Sequence, residues 1–474
     1  MTDVDAGAPP RARTRPRLTR SQRLDRRLRG GRLIGIDLAR FLALAGMMAA
    51  HVWNTEFPDG DATLIHIFVQ GRAAALFAVL AGIGIALSTR RYLTGEVPAR
   101  DSAGGRASAL FADPSNVASV RARAGTGFGA ASRALLMRGV VIALIGLTLG
   151  LLDSGIAIIL VYYGVTFWLA IPFLRLPVRA LFGIAAVWAL VWPVVSFGLR
   201  TAWGVESTFE NPSWQSVTDP DLVSDLFVTG VYPVLTWIVY VLVGMGVGRL
   251  ITRAMDASGP RDAVARDIRP LMRVALRTLI AGAVLAVAGW GLSQLALGPL
   301  GGLDAIARGD MYTPGVMGRI EAQSMAEGSG FGLVPLDSPW WLASSLVHSG
   351  ATLDLALTTG TSLIAIAVCL MIGLVVRGAG AKLLAPVAAA GAAPLTVYCA
   401  HIVAKTVMDS SIPGDRFSAG EEYLWLVSSP QLWLMHVAGA LAIGLVLTLL
   451  GRSGPLETLV RWLSRQAALP LKRG

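Results

Sequence analysis

The segment RLIGIDLARFLALAGMMAAH, residues 32–51, decides the fold. It is an apolar run with an Asp and an Arg near its start and a His at its end. On a helix, Asp37 and Arg40 are neighbours on one face, and His51 returns to roughly the same stripe about three turns later, about 20 Å from Asp37. Such groups are costly in hydrocarbon. We therefore expect this stripe to face the interior of a helical bundle.

The composition indicates a polytopic membrane protein. The 474 residues are 54% hydrophobic and 15% charged, with a mean hydropathy of +0.61, whereas a soluble domain has about 25% charged residues. The formal net charge of +11 lies in the N-terminal tail and the short loops, as in a topology signal. We therefore predict the lipid bilayer as a partner and no nucleic acid. Cys369 and Cys399 lie in apolar runs and are predicted to be free thiols.

Ten apolar runs are long enough to cross a bilayer, which takes about 20 residues each. They lie at about 33–52, 63–88, 134–152, 155–174, 178–199, 231–252, 274–298, 346–376, 383–408 and 431–451. The predicted fold class is all-α, a polytopic helical bundle of about ten transmembrane helices. Residues 1–31 are predicted to be a disordered basic cytoplasmic tail, 32–465 the membrane domain, and 466–474 a cytoplasmic C-terminal tail.

The loop charges predict an orientation. Arginines dominate 89–133 and 253–273, whereas acidic residues dominate 200–230 and 299–345. Basic residues gather on the cytoplasmic side, so we expect both termini to be cytoplasmic in a multi-pass protein of the plasma membrane. The alternative for the first segment is a cleaved signal peptide, against which its internal charged pair argues.

Two charged residues inside the predicted spans are candidates for a functional site. Arg72 falls about ten residues into the second span, near the predicted midplane, where a charge is a functional hypothesis by default. Its structural alternative is an ion pair with another span, for which Asp354 is the obvious partner. We predict a polar partner for Arg72 within the bundle, either Asp354 or His51.

The ninth span carries a polar face. Pro394, Tyr398, His401 and Lys405 share one side of a helix. Pro394 is predicted to kink it, and Lys405 to reach the outer surface. We expect a polar cavity lined by spans one, two, eight and nine.

All histidines fall in the outer half of the predicted topology. His436 is expected to be an amphipathic residue at the headgroup level. The five are His51, His66, His348, His401 and His436.

Both ends of the sequence resemble a known family. RLIGIDLARFLALAGMMAAH, followed by GRAAALFAVLAGIGIALSTRR, resembles the opening of the YeiB-like bacterial membrane proteins and of heparan-α-glucosaminide N-acetyltransferase, both in a wider transmembrane acyltransferase superfamily. GAAPLTVYCAHIV and GPLETLVRWLSR resemble the closing signatures of the YeiB-like family. The resemblance implies transfer of an acyl group, in these families acetyl, from cytoplasmic acyl-CoA to a glycan or lipid acceptor in the cell envelope.

The resemblance also implies catalytic residues. In the heparan enzyme, the outer end of the equivalent helix carries an Asn, whose position corresponds to His51, and a histidine in the following loop is catalytic, for which His66 is the candidate. Histidine titrates in the range that a base for acyl transfer needs. Asp37 and Arg40 are the predicted orienting residues. The predicted oxyanion or substrate-binding residues are Arg72, Asp354, Thr396, Tyr398 and His401.

The implied co-substrate is acyl-CoA, most simply acetyl-CoA. Its phosphates suit the inner residues Arg90, Arg91 and Arg138, although the positive-inside rule alone also accounts for arginines there. No metal is predicted. The alternatives are a transporter for a small solute or lipid-linked intermediate and a non-enzymatic membrane subunit, and a homo-oligomer is left open.

Overall fold

The computed structural model describes residues 33–53, 69–95, 127–205, 210–259, 267–376, 378–413 and 423–469. Its principal helices are α1 Ile34–Val52, α2 Arg72–Thr94, α3 Gly127–Leu149, α4 Leu160–Leu169, α5 Val178–Trp203, α6 Val234–Ala257, α7 Arg269–Leu297, α8 Thr352–Val375, α9 Ala385–Gly391, α10 Pro394–Ser410, α11 Pro430–Leu450 and α12 Pro455–Ala467. Short helical segments lie at Ile171–Arg175, Ser216–Thr218, Leu222–Ser224, Asp225–Thr229, Gly302–Ile306, Val316–Glu327, Pro339–Ala343, Ala379–Leu383 and Leu424–Val427. These ranges contain no strand, only an isolated bridge between Ser329 and Val347.

The predicted all-α membrane bundle is confirmed, with a smaller number of full-length spans. In the described part of the chain, eight helices are long and apolar enough to cross a membrane, and the pair α9 and α10, bent by 82°, makes a ninth. The predicted fourth span is the ten-residue helix α4. At 1.5 Å per residue it covers about 15 Å, half the hydrocarbon core.

The helices α2 and α6 form the centre of the bundle. In the apolar stretch of α6, 83% of the residues are buried within the protein, against 22% in that of α7. The outward side chains of α7 are therefore suited to contact with lipid. The two central helices pack along each other. A Cβ on Gly244 would lie 2.0 Å from the Val79 carbonyl oxygen. Only glycine permits this approach, as is usual where membrane helices pack closely.

The lead-in to α4 explains why the fourth span is short. Residues 150–159 contain no helix, yet Ile158 is fully buried. Backbone polar groups at this depth need partners, and the Asn211 side chain supplies two. Its Oδ1 accepts from the Ile158 N–H at 2.6 Å, and its Nδ2 donates to the Ile156 carbonyl at 2.8 Å. The apolar segment is thus buried by protein while only its second half is helical.

The predicted break at Pro394 is present, because Pro394 is the first residue of α10. The first N–H groups of a helix lack partners within it. Glu457 of α12 caps them: the N–H groups of Leu395 and Thr396 donate to Oε1 at 2.7 and 3.1 Å, and the Thr396 hydroxyl donates to Oε2 at 2.7 Å. This contact gives the GPLE motif a structural role. The predicted domain boundary at 465 falls inside α12, whereas the 1–31 tail lies outside the described residues.

Candidate functional site

A cavity of about 480 Å³ opens among the arginine-rich helix ends. Its walls come from α1, α2, α3, α4, α6, α10 and α12. Along α2 its lining runs from Phe77 to Tyr92, about 22 Å at 1.5 Å per residue. The charged lining residues are Asp37, Arg40, Arg90, Arg91, Arg138, Glu457 and Arg461. The lining also contains aromatic side chains, among them Phe77, Tyr163, Phe167 and Tyr398.

The expected set of cavity-lining spans was partly wrong. The first, second and ninth spans line the cavity, but the eighth, α8, does not. The polar residues of α8 are engaged elsewhere: the Thr358 and Ser362 hydroxyls donate to carbonyls one turn back, at 2.6 and 2.7 Å. In place of α8, the cavity uses α3, the half-length α4, α6 and α12.

The predicted pair on α1 is formed and faces this cavity. Arg40 Nη1 donates to Asp37 Oδ1 at 2.8 Å. The Asp37 carbonyl also meets α9, where a Cβ on Gly391 would lie 1.9 Å from it. The charged pair is therefore held between the broken ninth span and the cavity, and its stripe faces inward as predicted.

All three arginines predicted for coenzyme A line the same cavity. Arg90 donates to Asp256 at 2.6 Å. Arg91 lies over the Tyr92 ring, 4.6 Å from its centroid. Arg138 lies deeper, in the middle of α3, 5.2 Å from the Phe167 ring centroid. The Nε atoms of Arg91 and Arg138 are buried and find no hydrogen-bond partner among the described residues, so both arginines have donors to spare.

A chain of three histidines lies in the other half of the bundle. His51 Nδ1 is 3.0 Å from His401 Nε2, and His401 Nδ1 is 3.0 Å from His436 Nδ1. The His51 and His401 rings stack at an interplanar angle of 11°. Arg40 and His51 lie on the same helix, but His51 does not line the arginine-rich cavity. The rise of an α-helix puts His51 about 16 Å from Arg40.

The headgroup interpretation of His436 was wrong. His436 is only 6% exposed and is the last member of the histidine chain. Two hydrogen bonds fasten the start of α11 to α1: Trp433 Nε1 donates to the Ala45 carbonyl at 2.9 Å, and the Ser429 N–H donates to the Val52 carbonyl at 2.8 Å. They hold His436 against His401.

Lys405 does not reach the outer surface, contrary to prediction. It is 4% exposed and pairs with Asp409 one turn along α10. An ion pair within the protein replaces the expected contact with water, because a buried ammonium needs a counter-charge. The predicted polar face of α10 is nevertheless buried inside the bundle, through Tyr398, His401 and Lys405.

Arg72 is not at the membrane midplane, because it is the first residue of α2. Asp354, in the first turn of α8, interacts with it electrostatically. No ion pair within 4 Å joins the two in the described ranges. Asp354 Oδ2 instead accepts from the N–H groups of Ser349 and Gly350, at 3.1 and 2.9 Å. The predicted ion pair is therefore not formed, and Arg72 Nη1 is buried without a hydrogen-bond partner among the described residues.

His348 joins this outer group and was missed as a candidate. Its backbone lies close to Gly71, the residue before Arg72: a Cβ on Gly71 would lie 3.2 Å from the backbone nitrogen of His348. The ring of His348 packs against Tyr232 and Trp237, with centroids 5.1 and 5.6 Å apart. Its φ of 58° is rare for a non-glycine residue. Left-handed backbone of this kind leaves no signal in a sequence, so only the fold reveals the position.

A family model supplies the decisive comparison. The model for the catalytic domain of heparan-alpha-glucosaminide N-acetyltransferase matches residues 32–281, more than half of the 474-residue chain. The chain belongs to this family. The heparan-alpha-glucosaminide N-acetyltransferase match covers α1–α6 and therefore most of the cavity wall, and it makes the chain an acetyltransferase-type membrane protein. A search of curated proteins found no match. The narrower resemblance to the YeiB-like branch stays a prediction.

The other residues predicted for the site do not lie together. His66 is outside the described residues. Tyr398 lines the cavity. The Thr396 hydroxyl is engaged with Glu457 and is absent from the cavity lining, so its structural role is to cap α10. Both predicted free thiols, Cys369 and Cys399, are free.

Proposed function

We propose that this protein transfers an acyl group, in the first instance acetyl, from cytoplasmic acyl-CoA to a glycan or lipid acceptor on the extracytoplasmic side of the bacterial plasma membrane. The observation that carries the proposal is the arginine-lined cavity, most of whose wall belongs to the matched family region. Five arginines face two carboxylates in its lining. The excess positive charge favours a polyanionic ligand there.

The cavity suits acyl-CoA chemically from end to end. Guanidinium groups bind phosphates in bidentate, charge-assisted fashion, and Arg90 and Arg91 lie at the last turns of α2, where the cavity begins. Arg138 lies deeper beside Phe167, where it would meet the buried part of the substrate. The aromatic lining suits the apolar acyl and pantetheine atoms. The Nε donors of Arg91 and Arg138, which have no hydrogen-bond partner among the described residues, are available to bind acyl-CoA.

The chemistry assigns roles to both halves of α1. The acceptor oxygen or nitrogen attacks the thioester carbonyl and loses its proton, the carbon–sulfur bond breaks, and coenzyme A leaves as a thiolate that is then protonated. His51 is the proposed base, with His66 as the alternative. Tyr398 lines the cavity and is the proposed oxyanion donor, whereas Arg72, at the outer end of α2, is a proposed substrate-binding residue. Asp37 and Arg40 are the proposed orienting residues, which fix the position of α1 beside the cavity.

The orientation belongs to the same proposal. The cavity arginines lie on the side of the arginine-rich loops, which the positive-inside rule places in the cytoplasm. Both termini are then cytoplasmic, and the histidine chain belongs to the outer half of the membrane. The family name describes a glucosaminide amine as acceptor, which makes an amino sugar the first acceptor to test here.

A transporter is the second candidate, and two features favour it. The pair α9 and α10 is bent by 82°, and α4 is a half-length helix with an irregular lead-in. Broken helices of this kind form substrate sites in many transporters. Consumption of the thioester separates the two functions, because a transporter leaves it intact.

Replacing Arg91 or Arg138 with Gln is expected to weaken acetyl-CoA binding about tenfold each. A hydrogen bond to a charged group contributes about 1.5–3 kcal/mol, and about 1.4 kcal/mol corresponds to a factor of ten. Titration calorimetry on the detergent-purified protein measures the Kd. Arg277→Gln is the matched control, because Arg277 is exposed on α7 and does not line the cavity. Equal affinities in all variants, or no binding to the wild type, would count against this site.

A further inference from the structure

The three histidines form a continuous hydrogen-bonded chain across three helices. His51 comes from α1, His401 from α10 and His436 from α11, and both contacts are 3.0 Å. His401 is 3% exposed and His436 is 6% exposed. His401 uses both ring nitrogens, one toward each neighbour. A set of isolated interface histidines would not have this connectivity.

Hydrogen-bond logic restricts the protons to two arrangements. A neutral imidazole has one N–H donor and one acceptor nitrogen, so His401 donates at one end and accepts at the other. In the first arrangement the protons are on His51 Nδ1, His401 Nδ1 and His436 Nε2, and His51 Nε2 can accept a proton. In the second they are on His51 Nε2, His401 Nε2 and His436 Nδ1. Both arrangements satisfy both hydrogen bonds.

We infer that these histidines are a proton relay, with His401 and His436 acting through His51; this inference rests on the proposed acyl transfer. As the acceptor gives its proton to His51 Nε2, the His51 Nδ1 proton moves to His401 Nε2. The His401 Nδ1 proton moves to His436 Nδ1, and the His436 Nε2 proton leaves to water. In the reverse shift His436 Nε2 takes up a proton and His51 Nε2 gives its proton back to water, while the coenzyme A thiolate is protonated within the arginine-rich cavity, which His51 does not line. Every ring holds one proton before and after each shift.

The surrounding charges favour a concerted proton shift along the three rings over a positively charged imidazolium on one of them. Lys405 lies one turn beyond His401, and its ammonium repels positive charge on all three rings. Asp409 pairs with Lys405 and attracts positive charge at His436. An imidazolium held on His51 or His401 is therefore disfavoured, whereas a concerted shift never forms one. His436 Nε2 is buried and has no hydrogen-bond partner among the described residues, so an internal water bound at this nitrogen would be the group that takes up the proton.

The test is His401→Gln, which keeps a donor and an acceptor but fixes the proton at one end. We expect kcat to fall about ten- to hundredfold, less than for loss of the base itself, with both KM values unchanged. In the wild type several moving protons should contribute to the solvent deuterium isotope effect on kcat, and in His401→Gln this multi-proton contribution should be lost. Because His401 acts through His51, adding His401→Gln to His51→Ala should cost nothing further. His436→Gln should behave in the same way.

Two results would overturn the relay. One is a loss from His401→Gln that multiplies with that from His51→Ala, and the other is an unchanged isotope effect in both glutamine variants. A readout independent of turnover is the ¹⁵N signals of the imidazole rings. We expect His51→Ala to shift the His436 ring signals and leave those of His348 in place. If the wild type consumes no acetyl-CoA, the proposed function fails, and fixed single tautomers in these spectra would still exclude the relay.

Discussion

Replacing His51 with Ala is expected to lower the rate of acyl transfer by about 10²–10⁴-fold, the usual loss for a general base. His51 ends the stripe that begins with Asp37 and Arg40, and its Nδ1 is held by His401 at 3.0 Å. That contact leaves Nε2 as the ring nitrogen that is proposed to take the acceptor's proton. Acetyl-CoA consumption with an amino-sugar acceptor measures the effect.

The His51→Ala fold should remain intact. His51 is only half-buried, and the variant loses one hydrogen bond, which contributes about 1 kcal/mol. Membrane insertion and thermal stability in detergent should therefore stay close to wild type. His66→Ala is the parallel variant. Full activity in His51→Ala together with loss in His66→Ala would move the role of base to His66.

Replacing Gly84 with Leu is expected to raise the Kd for acetyl-CoA at least about a hundredfold, equivalent to about 2.7 kcal/mol. Gly84 lines the cavity, and a Cβ there would meet only Arg40 Nη2, at 3.8 Å. A leucine side chain thus projects into the space that the substrate needs without displacing a helix. Equilibrium binding of acetyl-CoA to purified protein measures the loss, and acyl transfer should fall with it.

Gly439→Leu is the matched control for this blockade. Gly439 is also inside a membrane helix, α11, and nothing lies within 4 Å of a Cβ at that position. Gly439→Leu should therefore gain the same helix propensity as Gly84→Leu, but its side chain does not fill the cavity. Normal stability with lost binding in Gly84→Leu alone supports the assignment. Wild-type affinity in Gly84→Leu would show that acetyl-CoA binds elsewhere.

Hydropathy predicted most of the fold because lipid and protein interiors select the same side chains. Each of the ten apolar runs contains helix, and the break at Pro394 follows from the proline itself. The half-length fourth span could not be predicted in this way. Ile156, Ile158 and Ile159 are buried in protein, and the non-helical backbone here depends on Asn211, more than fifty positions away. Composition alone does not distinguish burial in lipid from burial in protein.

The site was predictable where its contacts are local. Asp37 and Arg40 pair across one helical turn, and Arg90 and Arg91 share a helix end, so sequence spacing suffices. The position of His436 was wrong because distant contacts decide it, and that of Lys405 was wrong because Asp409, one turn away on α10, matches its charge inside the bundle. His436 meets His401 only because Trp433 and Ser429 fasten α11 to α1. The depth of Arg72 was wrong because residues 63–69 are also largely apolar, so the sequence does not show that the helix begins only at Arg72.

Sealed proteoliposomes of known orientation test the central claim, transfer of an acyl group across the membrane. Acetyl-labelled acetyl-CoA is supplied only on the side of Arg91 and Arg138, and an amino-sugar glycan only on the other. We expect labelled acetyl-glycan on the far side and free coenzyme A thiol on the near side, with no product when the two substrates are exchanged. Movement of either substrate across the membrane with the thioester intact would contradict acyl transfer and favour a transporter.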